Sequence, residues 1–326
     1  MTTAERKAIL VDKYKVSPLY AEQILAAVSD DSFDDQTISR LLKQKPKPFI
    51  KWVGGKRQLL SQFHALGALS PKGFDQTKNT YFEPFVGGGA VFFELLPLRA
   101  SINDINAELV TTYNVIRDDV NTLISELGNG KYYYDKEVFL RIRAWDTTKI
   151  SDIKRAARFI YLNRTAFNGM YRVNKSGKFN VPFGRYNNPQ ICDEINLRRV
   201  AQVMKDVQVS NTSYKYVLDQ AKKGDFIYFD PPYYPVSKTA SFTSYSNDVF
   251  LQNEQEELRD AFVELHNRGC YVMLSNSDTP LIHNLFEPLK KDDITVNMVQ
   301  AGRNINSNSA KRGKIFEVLV TNYYSD

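Results

Sequence analysis

The chain has 326 residues, of which 43% are apolar and 13% aromatic, and 43 basic against 37 acidic side chains give a net charge of +6. This composition excludes general disorder and predicts a buried core. Apolar runs fall short of the roughly 18 residues of a membrane helix, and charges occupy the place of an export signal. We therefore expect a cytoplasmic protein with no membrane partner. Two cysteines and three histidines, without metal-ligand spacing, predict no metal site.

Residues 1–48 carry eight basic and seven acidic side chains, and their apolar residues recur at helical spacing between two breaks. This pattern predicts two or three short amphipathic helices. The Lys-Pro-Lys-Pro run at 45–48 then predicts a linker. We favour a small helical extension packed on the main body over a helix-turn-helix DNA reader.

From residue 80 onward, short apolar runs of strand length alternate with helical patterns. The predicted strands are 80–84, 100–104, 225–229 and 271–275, and the predicted helices are 91–96, 105–115 and 250–266. Such alternation predicts an α/β fold in which helices cover a mostly parallel sheet. The long segment between the two groups of strands has the position of an inserted domain.

Most of the basic charge lies in one segment. Residues 141–185 contain eleven basic and two acidic side chains, a net charge of +9, which leaves −3 for the rest of the chain. Aromatic residues are interleaved with the basic ones. This combination favours a nucleic-acid surface, although charge alone would favour a solvated helix face.

A glycine-rich loop follows the first predicted strand. Gly87, Gly88 and Gly89 stand between that strand and a helix, where doubly wound folds bind nucleotides. The dinucleotide pattern G-x-G-x-x-G is absent because position 92 is Phe. Asp104, at the end of the next strand, is placed to accept hydrogen bonds from ribose hydroxyls. Together these features favour an adenosine-containing cofactor.

A second glycine turn, Trp52-Val53-Gly54-Gly55-Lys56, resembles a phosphate-binding loop only in part. Ile50 stands where a Walker loop requires its first glycine, and Arg57 stands where it requires Ser or Thr. Nucleoside triphosphate hydrolysis is therefore disfavoured.

The tetrapeptide Asp230-Pro231-Pro232-Tyr233 follows the apolar run 225–229. Two prolines cannot donate backbone hydrogen bonds, and they fix an extended loop whose carbonyl groups face the pocket. The Asp230 carboxylate and the Pro231 carbonyl can each accept one N–H of an exocyclic amine, which directs the nitrogen lone pair toward an electrophile. Tyr233 can stack on the planar base, an interaction worth about 1–3 kcal/mol in single-strand binding.

The order of these motifs resembles the Dam-type (D12 class, alpha group) DNA adenine-N6 methyltransferases. The resemblance covers residues 49 to about 324. It is most specific in the stretch 161–172, continued to residue 184, which is similar to the target-recognition segment of members that modify GATC. Residues 242–245 and 274–278 extend the match toward the C-terminus.

The resemblance implies a Rossmann-like methyltransferase sheet with helices on both faces, an inserted mainly helical target-recognition domain, and S-adenosylmethionine as cofactor. Domain boundaries would be 1–48, then 49–112 with 200–326 as the catalytic domain, and 113–199 as the DNA-binding domain. Residues implied to bind the cofactor are Trp52, Gly54, Lys56, Glu83, Phe85, Gly87, Gly89, Asp104 and Asp230. Catalytic positions are Asp230, Pro231, Pro232 and Tyr233. DNA-contacting positions are Lys51, Phe167, Asn168, Met170, Arg172, Asn174 and Pro182.

The expected partner is double-stranded DNA, with a cognate restriction endonuclease left open and a monomer or weak dimer expected. Two alternatives remain at this stage: an RNA or protein-amide N-methyltransferase, and a catalytically silent DNA-binding regulator that reads DNA through residues 1–48. A nicotinamide oxidoreductase is the weakest alternative.

Overall fold

A computed structural model describes residues 1–14, 16, 18–28, 32–234, 250–302 and 314–323. The first 48 residues contain three short helices, α1 (Thr3–Asp12), α2 (Pro18–Ala27) and α3 (Asp35–Lys43). Thr2 begins α1 with a capping box, because its hydroxyl accepts from Glu5 N and Glu5 accepts from Thr2 N. The helices enclose a small apolar cluster that includes Leu10, Ile24 and Ile38. The prediction of a helical extension is confirmed.

A seven-stranded sheet forms the centre of the remaining chain. Its strands are β1 (Tyr81–Glu83), β2 (Ala100–Asn103), β3 (Gln208–Ser210), β4 (Phe226–Phe229), β5 (Tyr271–Ser277), β6 (Thr295–Gly302) and β7 (Lys314–Thr321). The order across the sheet is β3-β2-β1-β4-β5-β7-β6. In this order, β3, β2, β1, β4 and β5 run parallel to one another, whereas β7 is antiparallel to both β5 and β6. A mostly parallel sheet was predicted, and this prediction is confirmed.

Apolar side chains alternate between the two faces of the sheet, as strand geometry requires. In β4, Phe226 and Tyr228 belong to one core cluster, and Ile227 and Phe229 belong to the other. Helices cover both faces, because an all-parallel centre has to be buried on both sides. They are α4 (Leu60–Ala65), α5 (Ala90–Leu95), α6 (Ala107–Leu127), α7 (Lys136–Arg143), α8 (Asp152–Thr165), α9 (Glu194–Met204), α10 (Tyr216–Gln220), α11 (Gln252–Asn267) and α12 (Pro280–Phe286).

Helix α6 is longer than the predicted 105–115 segment. It starts at an Asn106 cap and continues to Leu127, with non-helical backbone at Asp119. It packs extensively against α8 and α9. The expected domain boundaries at 112/113 and 199/200 lie inside α6 and α9, so continuous helices connect the two parts.

The N-terminal helices are fastened to the main body by polar contacts. Lys45 Nζ lies 2.9 Å from a Glu94 carboxylate oxygen and donates to the Glu94 carbonyl at 3.0 Å. Gln23 donates to the Leu96 carbonyl at the end of α5. In the linker, Lys47 N donates to Asn196 Oδ1 and Asn196 Nδ2 donates to the Lys47 carbonyl, both at 2.9 Å. The Asn196 side chain of α9 therefore bonds both backbone groups of Lys47, as a neighbouring strand residue would.

The described helices include none that is both long enough and apolar enough to span a bilayer.

The Asn196 contact yields a stability prediction. Asn196→Ala leaves the backbone N–H and carbonyl of Lys47 without their partner, so we expect the free energy of unfolding to fall by about 1–3 kcal/mol in urea denaturation. Arg198→Ala, on the same helix, removes an exposed ion pair with Glu194 and an exposed hydrogen bond to the Asn121 side chain, and serves as the control. It should cost less than about 1 kcal/mol. Equal losses in the two variants would contradict the assigned role of Asn196.

Candidate active site

Two sequence motifs meet where the strand order reverses. Strands β1 and β4 are parallel neighbours, and the chain proceeds outward from them in opposite directions to β2 and to β5. Their carboxyl ends therefore form the crevice in which open α/β sheets bind ligands. Glu83 ends β1 and leads into the glycine loop, while Asp230 follows β4 directly. The fold brings the predicted cofactor loop and the predicted catalytic tetrapeptide to one edge.

The glycine loop is packed too tightly for side chains. Gly87 has φ +48° and Gly89 has φ +69°, a left-handed backbone that favours glycine. A Cβ on Gly87 would lie 2.6 Å from the indole of Trp52, and one on Gly89 would lie 2.9 Å from the Tyr113 hydroxyl. Tyr113 also donates to the Gly87 carbonyl at 3.0 Å. Trp52 thus lies directly on the loop.

Asp104 fixes the same loop from the end of β2. Its carboxylate accepts from Gly87 N at 3.0 Å and from Asn106 N at 2.9 Å. Burial raises the pKa of the Asp104 carboxyl, and these two backbone bonds oppose the rise. A carboxylate has about four lone-pair sites, so acceptor capacity remains for a hydroxyl group.

Lys56 is the central cation of the site and is only 2% exposed. Its Nζ donates to the Gly54 carbonyl at 2.7 Å and lies 2.8 Å from Asp230 Oδ1. It also lies 4.7 Å from the ring centroid of Tyr233. The second glycine turn therefore places a lysine against the tetrapeptide 230–233.

The carboxylates around Lys56 hold protons unusually well. Burial raises the pKa of Asp230 to about 6, against the lowering effect of the Lys56 ammonium. Burial also raises the pKa of Glu83 to about 8, with a further contribution from the Asp230 charge. Glu83 accepts from the Tyr81 hydroxyl at 2.7 Å. Near pH 7 the Lys56 ammonium therefore pairs with the ionised Asp230, while Glu83 largely keeps its proton.

Glu317 in β7 is a third carboxylate, which sequence reasoning missed. Its Oε2 accepts from the Tyr233 hydroxyl at 2.6 Å and lies 4.0 Å from Lys56 Nζ. No local motif marks this residue, which is 84 positions from Tyr233 in the chain. Only the antiparallel pairing of β7 with β5 brings it to the site.

Two further buried residues that the sequence did not reveal hold the proline loop. Gln255 of α11 donates to the Pro232 carbonyl at 3.2 Å, and Asn276 of β5 donates to Gln255 Oε1 at 2.8 Å. The Pro232 carbonyl is therefore engaged within the protein, contrary to the expectation that the loop carbonyls face the pocket. The Pro231 carbonyl accepts no hydrogen bond from any described residue. Phe85 packs behind the loop against Phe229.

The predicted DNA-contacting residues form a second group around the end of α8. Asn163 is fully buried and joins two segments through three hydrogen bonds: from Lys51 N at 2.9 Å, to the Lys51 carbonyl at 2.7 Å and to the Gly169 carbonyl at 2.8 Å. Phe167 is 47% exposed, and Asn168 beside it has φ +54°. Phe167 N donates to the Pro182 carbonyl at 2.9 Å. Lys51, Phe167, Asn168 and Pro182 are thus held together.

Residues 172–180 form a hairpin with exposed polar side chains. Arg172 Nε donates to Asn180 Oδ1 at 2.7 Å, and Val173 pairs with Phe179. The Asn174 side chain accepts from Ser176 N and Lys178 N, which closes the turn. Asn174 therefore has a structural role in this conformation. Met170, expected at a base contact, is 8% exposed and packs in the core.

Several basic residues of the +9 segment are committed to structure. Arg155 lies 2.7 Å from both Glu108 and Asp152, and Arg158 donates to the carbonyls of Ile142 and Arg143. Arg164 donates to the Phe49 carbonyl. The count of charges therefore overstated the cations available to phosphate. Basic side chains at least partly exposed and without an acidic partner among the described residues are Arg141, Arg143, Lys154, Arg172, Lys175, Lys178 and Arg185.

The two groups meet at Trp52. Its ring stacks on Tyr171 of the recognition segment at a centroid distance of 6.2 Å, and its other neighbours are Phe159 and Gly87. Lys51, the preceding residue, lies over the Tyr186 ring at 4.5 Å. The residues 242–245 singled out in the sequence lie outside the described part of the chain. In that part, no group of three or more His, Cys, Asp or Glu side chains could hold a metal ion.

Residues 52–298 match the family model for D12 class N6 adenine-specific DNA methyltransferases. The chain belongs to this family. It is 41% identical over 283 residues to the type II methyltransferase M1.LlaDCHI of Lactococcus lactis subsp. cremoris, covering 85% of this chain and 95% of that protein. It is 40% identical over 295 residues to the type II methyltransferase M.MjaIII of Methanocaldococcus jannaschii, covering 85% and 99%. It is 34% identical over 285 residues to a DNA adenine methylase of Vibrio cholerae, covering 85% and 96%.

Membership of the D12 class makes this an adenine-specific DNA methyltransferase. The resemblance drawn from the motifs is confirmed, and the family match begins at Trp52, so residues 1–51 lie outside it. An enzyme of this class acts on the exocyclic N6 of adenine, a planar amine of the kind for which the tetrapeptide was interpreted.

The glycine loop yields a second prediction. Gly87→Ala places a methyl group against Trp52 and also strains a left-handed backbone. Gly54 has φ +77° but open space where a Cβ would lie, so Gly54→Ala adds backbone strain alone. Strain alone costs about 1–2 kcal/mol. We expect both variants to lose stability in urea denaturation, but only Gly87→Ala to lose more than this and to shift tryptophan fluorescence. Indistinguishable variants would show that Trp52 does not rest on the loop.

Proposed function

We propose that this enzyme transfers a methyl group from S-adenosylmethionine to adenine N6 within GATC in duplex DNA, after the adenine has left the helix. The observation that carries the proposal is the position of Asp230, largely buried after β4, paired with Lys56 and next to the glycine loop after β1. Extruding a base costs a few kcal/mol, which contacts in the pocket have to offset.

The residues present fit a cationic methyl donor. S-adenosylmethionine supplies an electrophilic methyl group on a sulfonium. Among the described residues, Asp230 and Glu317 share the Lys56 ammonium, and the carboxyl group of Glu83, with a pKa of about 8, lies within electrostatic reach of it, so an additional positive charge would be stabilised there. Asp104 retains acceptor capacity for the ribose. Residues proposed to hold the cofactor are Trp52, Gly54, Lys56, Glu83, Phe85, Gly87, Gly89, Asp104 and Asp230.

The tetrapeptide would hold and orient the amine. One N–H of adenine N6 donates to the Asp230 carboxylate and the other donates to the Pro231 carbonyl, while Tyr233 stacks on the base. Lys56 occupies Asp230 Oδ1, which leaves the other carboxylate oxygen for the substrate. When N6 bonds to the methyl carbon it loses one proton to water or to Asp230. Catalysis then depends on positioning and on fixed dipoles rather than on a covalent intermediate.

The recognition group would read the DNA. We propose that Arg172 and Lys51 bind guanine edges, that Met170 and Pro182 make apolar base contacts, and that Phe167 enters the space around the extruded nucleotide. Exposed Phe167 beside a left-handed Asn168 is a geometry suited to such insertion. Because Met170 is buried, its contact requires a local rearrangement on DNA binding. Asn168 and Asn174 complete the proposed contacts.

The proposed division of labour assigns 49–112 with 200–326 to cofactor binding and catalysis, and 113–199 to DNA recognition. Since α6 and α9 cross the boundaries, we expect the two parts to move as one body. The relatives include proteins named type II methyltransferase and proteins named DNA adenine methylase. These names are compatible with an enzyme that has a cognate restriction endonuclease and with one that acts alone. We propose that the enzyme is a monomer or weak dimer.

Activity and target are tested together in a methylation-deficient host. We expect DNA from cells that express the enzyme to resist GATC endonucleases blocked by adenine methylation, and DNA from Asp230→Ala cells to be cut. Loss of one preorganised group lowers rates about 10²–10³-fold. The variant should retain much of its DNA affinity in a gel-shift assay. Protection by Asp230→Ala would contradict the mechanism, whereas methylation at another sequence would contradict only the GATC assignment.

Base contacts and phosphate contacts are separated by a matched pair of variants. Arg172→Ala should relax discrimination at one base pair by about 1–3 kcal/mol. Lys154→Ala, exposed and outside the hairpin, should weaken binding to all sequences and lower the salt slope by about 1. Methylation rates on single-mismatch duplexes and affinities at several salt concentrations measure these effects. The opposite pattern would show that the two assignments are exchanged.

A further inference from the structure

We infer that Glu317 is a positioning residue for methyl transfer, which fixes the plane of Tyr233 and shares the Lys56 ammonium with Asp230. This inference rests on the proposed function, because it assumes that Tyr233 stacks on the target adenine. Glu317 does not touch the substrate in this account; it acts through the two side chains that it contacts.

The direction of β7 places this residue at the active edge. The parallel strands end there, and β7, running the other way, begins there. Glu317 pairs in register with Ser277 at the end of β5 and with Val299 of β6. Because the backbone of Glu317 is paired with a strand on each side, its side chain projects from a rigid part of the sheet.

The contacts of Glu317 determine the orientation of Tyr233. The tyrosine hydroxyl donates to Glu317 Oε2 at 2.6 Å, a charge-assisted hydrogen bond. Lys56 Nζ lies over the Tyr233 ring, 4.7 Å from the ring centroid. A tyrosine that directly follows a rigid proline pair is thus fixed at its backbone, on its ring and at its hydroxyl. Such a ring offers a preformed plane for a base.

The charge of Glu317 also acts on Asp230. Lys56 Nζ is 2.8 Å from Asp230 and 4.0 Å from Glu317, so one ammonium serves both carboxylates. Among the described residues, the charged and titratable groups that face Asp230 are Lys56, Glu317, Glu83, Tyr228 and Tyr233. Lys56 lowers the pKa of Asp230, and Glu317 raises it. A neutral residue at 317 would therefore let Asp230 stay ionised at lower pH.

Three variants separate the hydrogen bond from the charge. Tyr233→Phe retains the ring but not the donor; Glu317→Ala removes both acceptor and charge; Glu317→Gln retains an acceptor oxygen without the charge. We expect Tyr233→Phe and Glu317→Ala each to lower kcat about tenfold to a hundredfold with little change in KM for S-adenosylmethionine. The double variant should be no slower than the slower single variant, because both remove one interaction. Additive losses would overturn the inference.

The pH profile supplies a readout that a purely structural residue would not change. Methyl transfer should fall as pH decreases through about 6, where Asp230 becomes protonated and stops accepting an N–H. In Glu317→Gln this fall should move to lower pH, whereas the exposed-surface control Glu264→Gln should leave it unchanged. An unshifted profile in Glu317→Gln would overturn the electrostatic part of the inference.

Failure of the inference can be told apart from failure of the proposed function. Tyr233→Ala and Asp230→Ala test the proposed function itself. If both lose activity while Glu317→Ala and Tyr233→Phe remain at the wild-type rate, Glu317 has no positioning role and the proposed function stands. If Asp230→Ala remains active, the proposed function fails first. Circular dichroism melting confirms that each variant is folded before its rate is interpreted.

Discussion

The buried ammonium of Lys56 is the interaction on which the rest of this structure depends. Taking a charge out of water costs several kcal/mol unless partners compensate it. Here the compensation comes from a glycine turn, the end of β4 and the start of β7, through Gly54, Asp230 and Glu317. Three separate parts of the chain therefore have to meet at one point before the site exists. Among the described residues, Asp230 and Glu317 share this one ammonium, so we propose that the completed site retains affinity for another cation.

Residues 51 and 52 connect the proposed catalytic site with the proposed recognition segment. Lys51 is bound through its backbone to Asn163, which also holds Gly169, while Trp52 lies between the glycine loop and Tyr171. A displacement of the recognition segment by DNA would be transmitted to the cofactor loop through residues 51 and 52. Since cores are close-packed, such contacts carry small shifts without absorbing them.

The sequence predicted the parts of this molecule that are local. The strand-to-loop motifs at 83–89 and 230–233 were found from apolar runs that end at glycine or proline, and the fold brings both to one edge. Glu317 was missed because its role arises from antiparallel pairing with β5, which no local pattern encodes. Arg155 was counted as an available cation, although its ion pair with Glu108 depends on the packing of α8 on α6. The contacts that the sequence did not predict depend on pairing between distant segments of the chain, which local secondary-structure propensity does not encode.

We propose that, among the described residues, Asp230 and Glu317 with Lys56 leave the site short of one positive charge. Isothermal titration calorimetry near pH 7, in two buffers of different ionisation enthalpy, measures the protons released when a ligand binds. At that pH Glu83, with a pKa of about 8, is largely protonated in the free protein. A cation in the site would lower this pKa, so S-adenosylmethionine should release protons that the neutral product S-adenosylhomocysteine does not. Equal proton release by the two ligands would contradict the account.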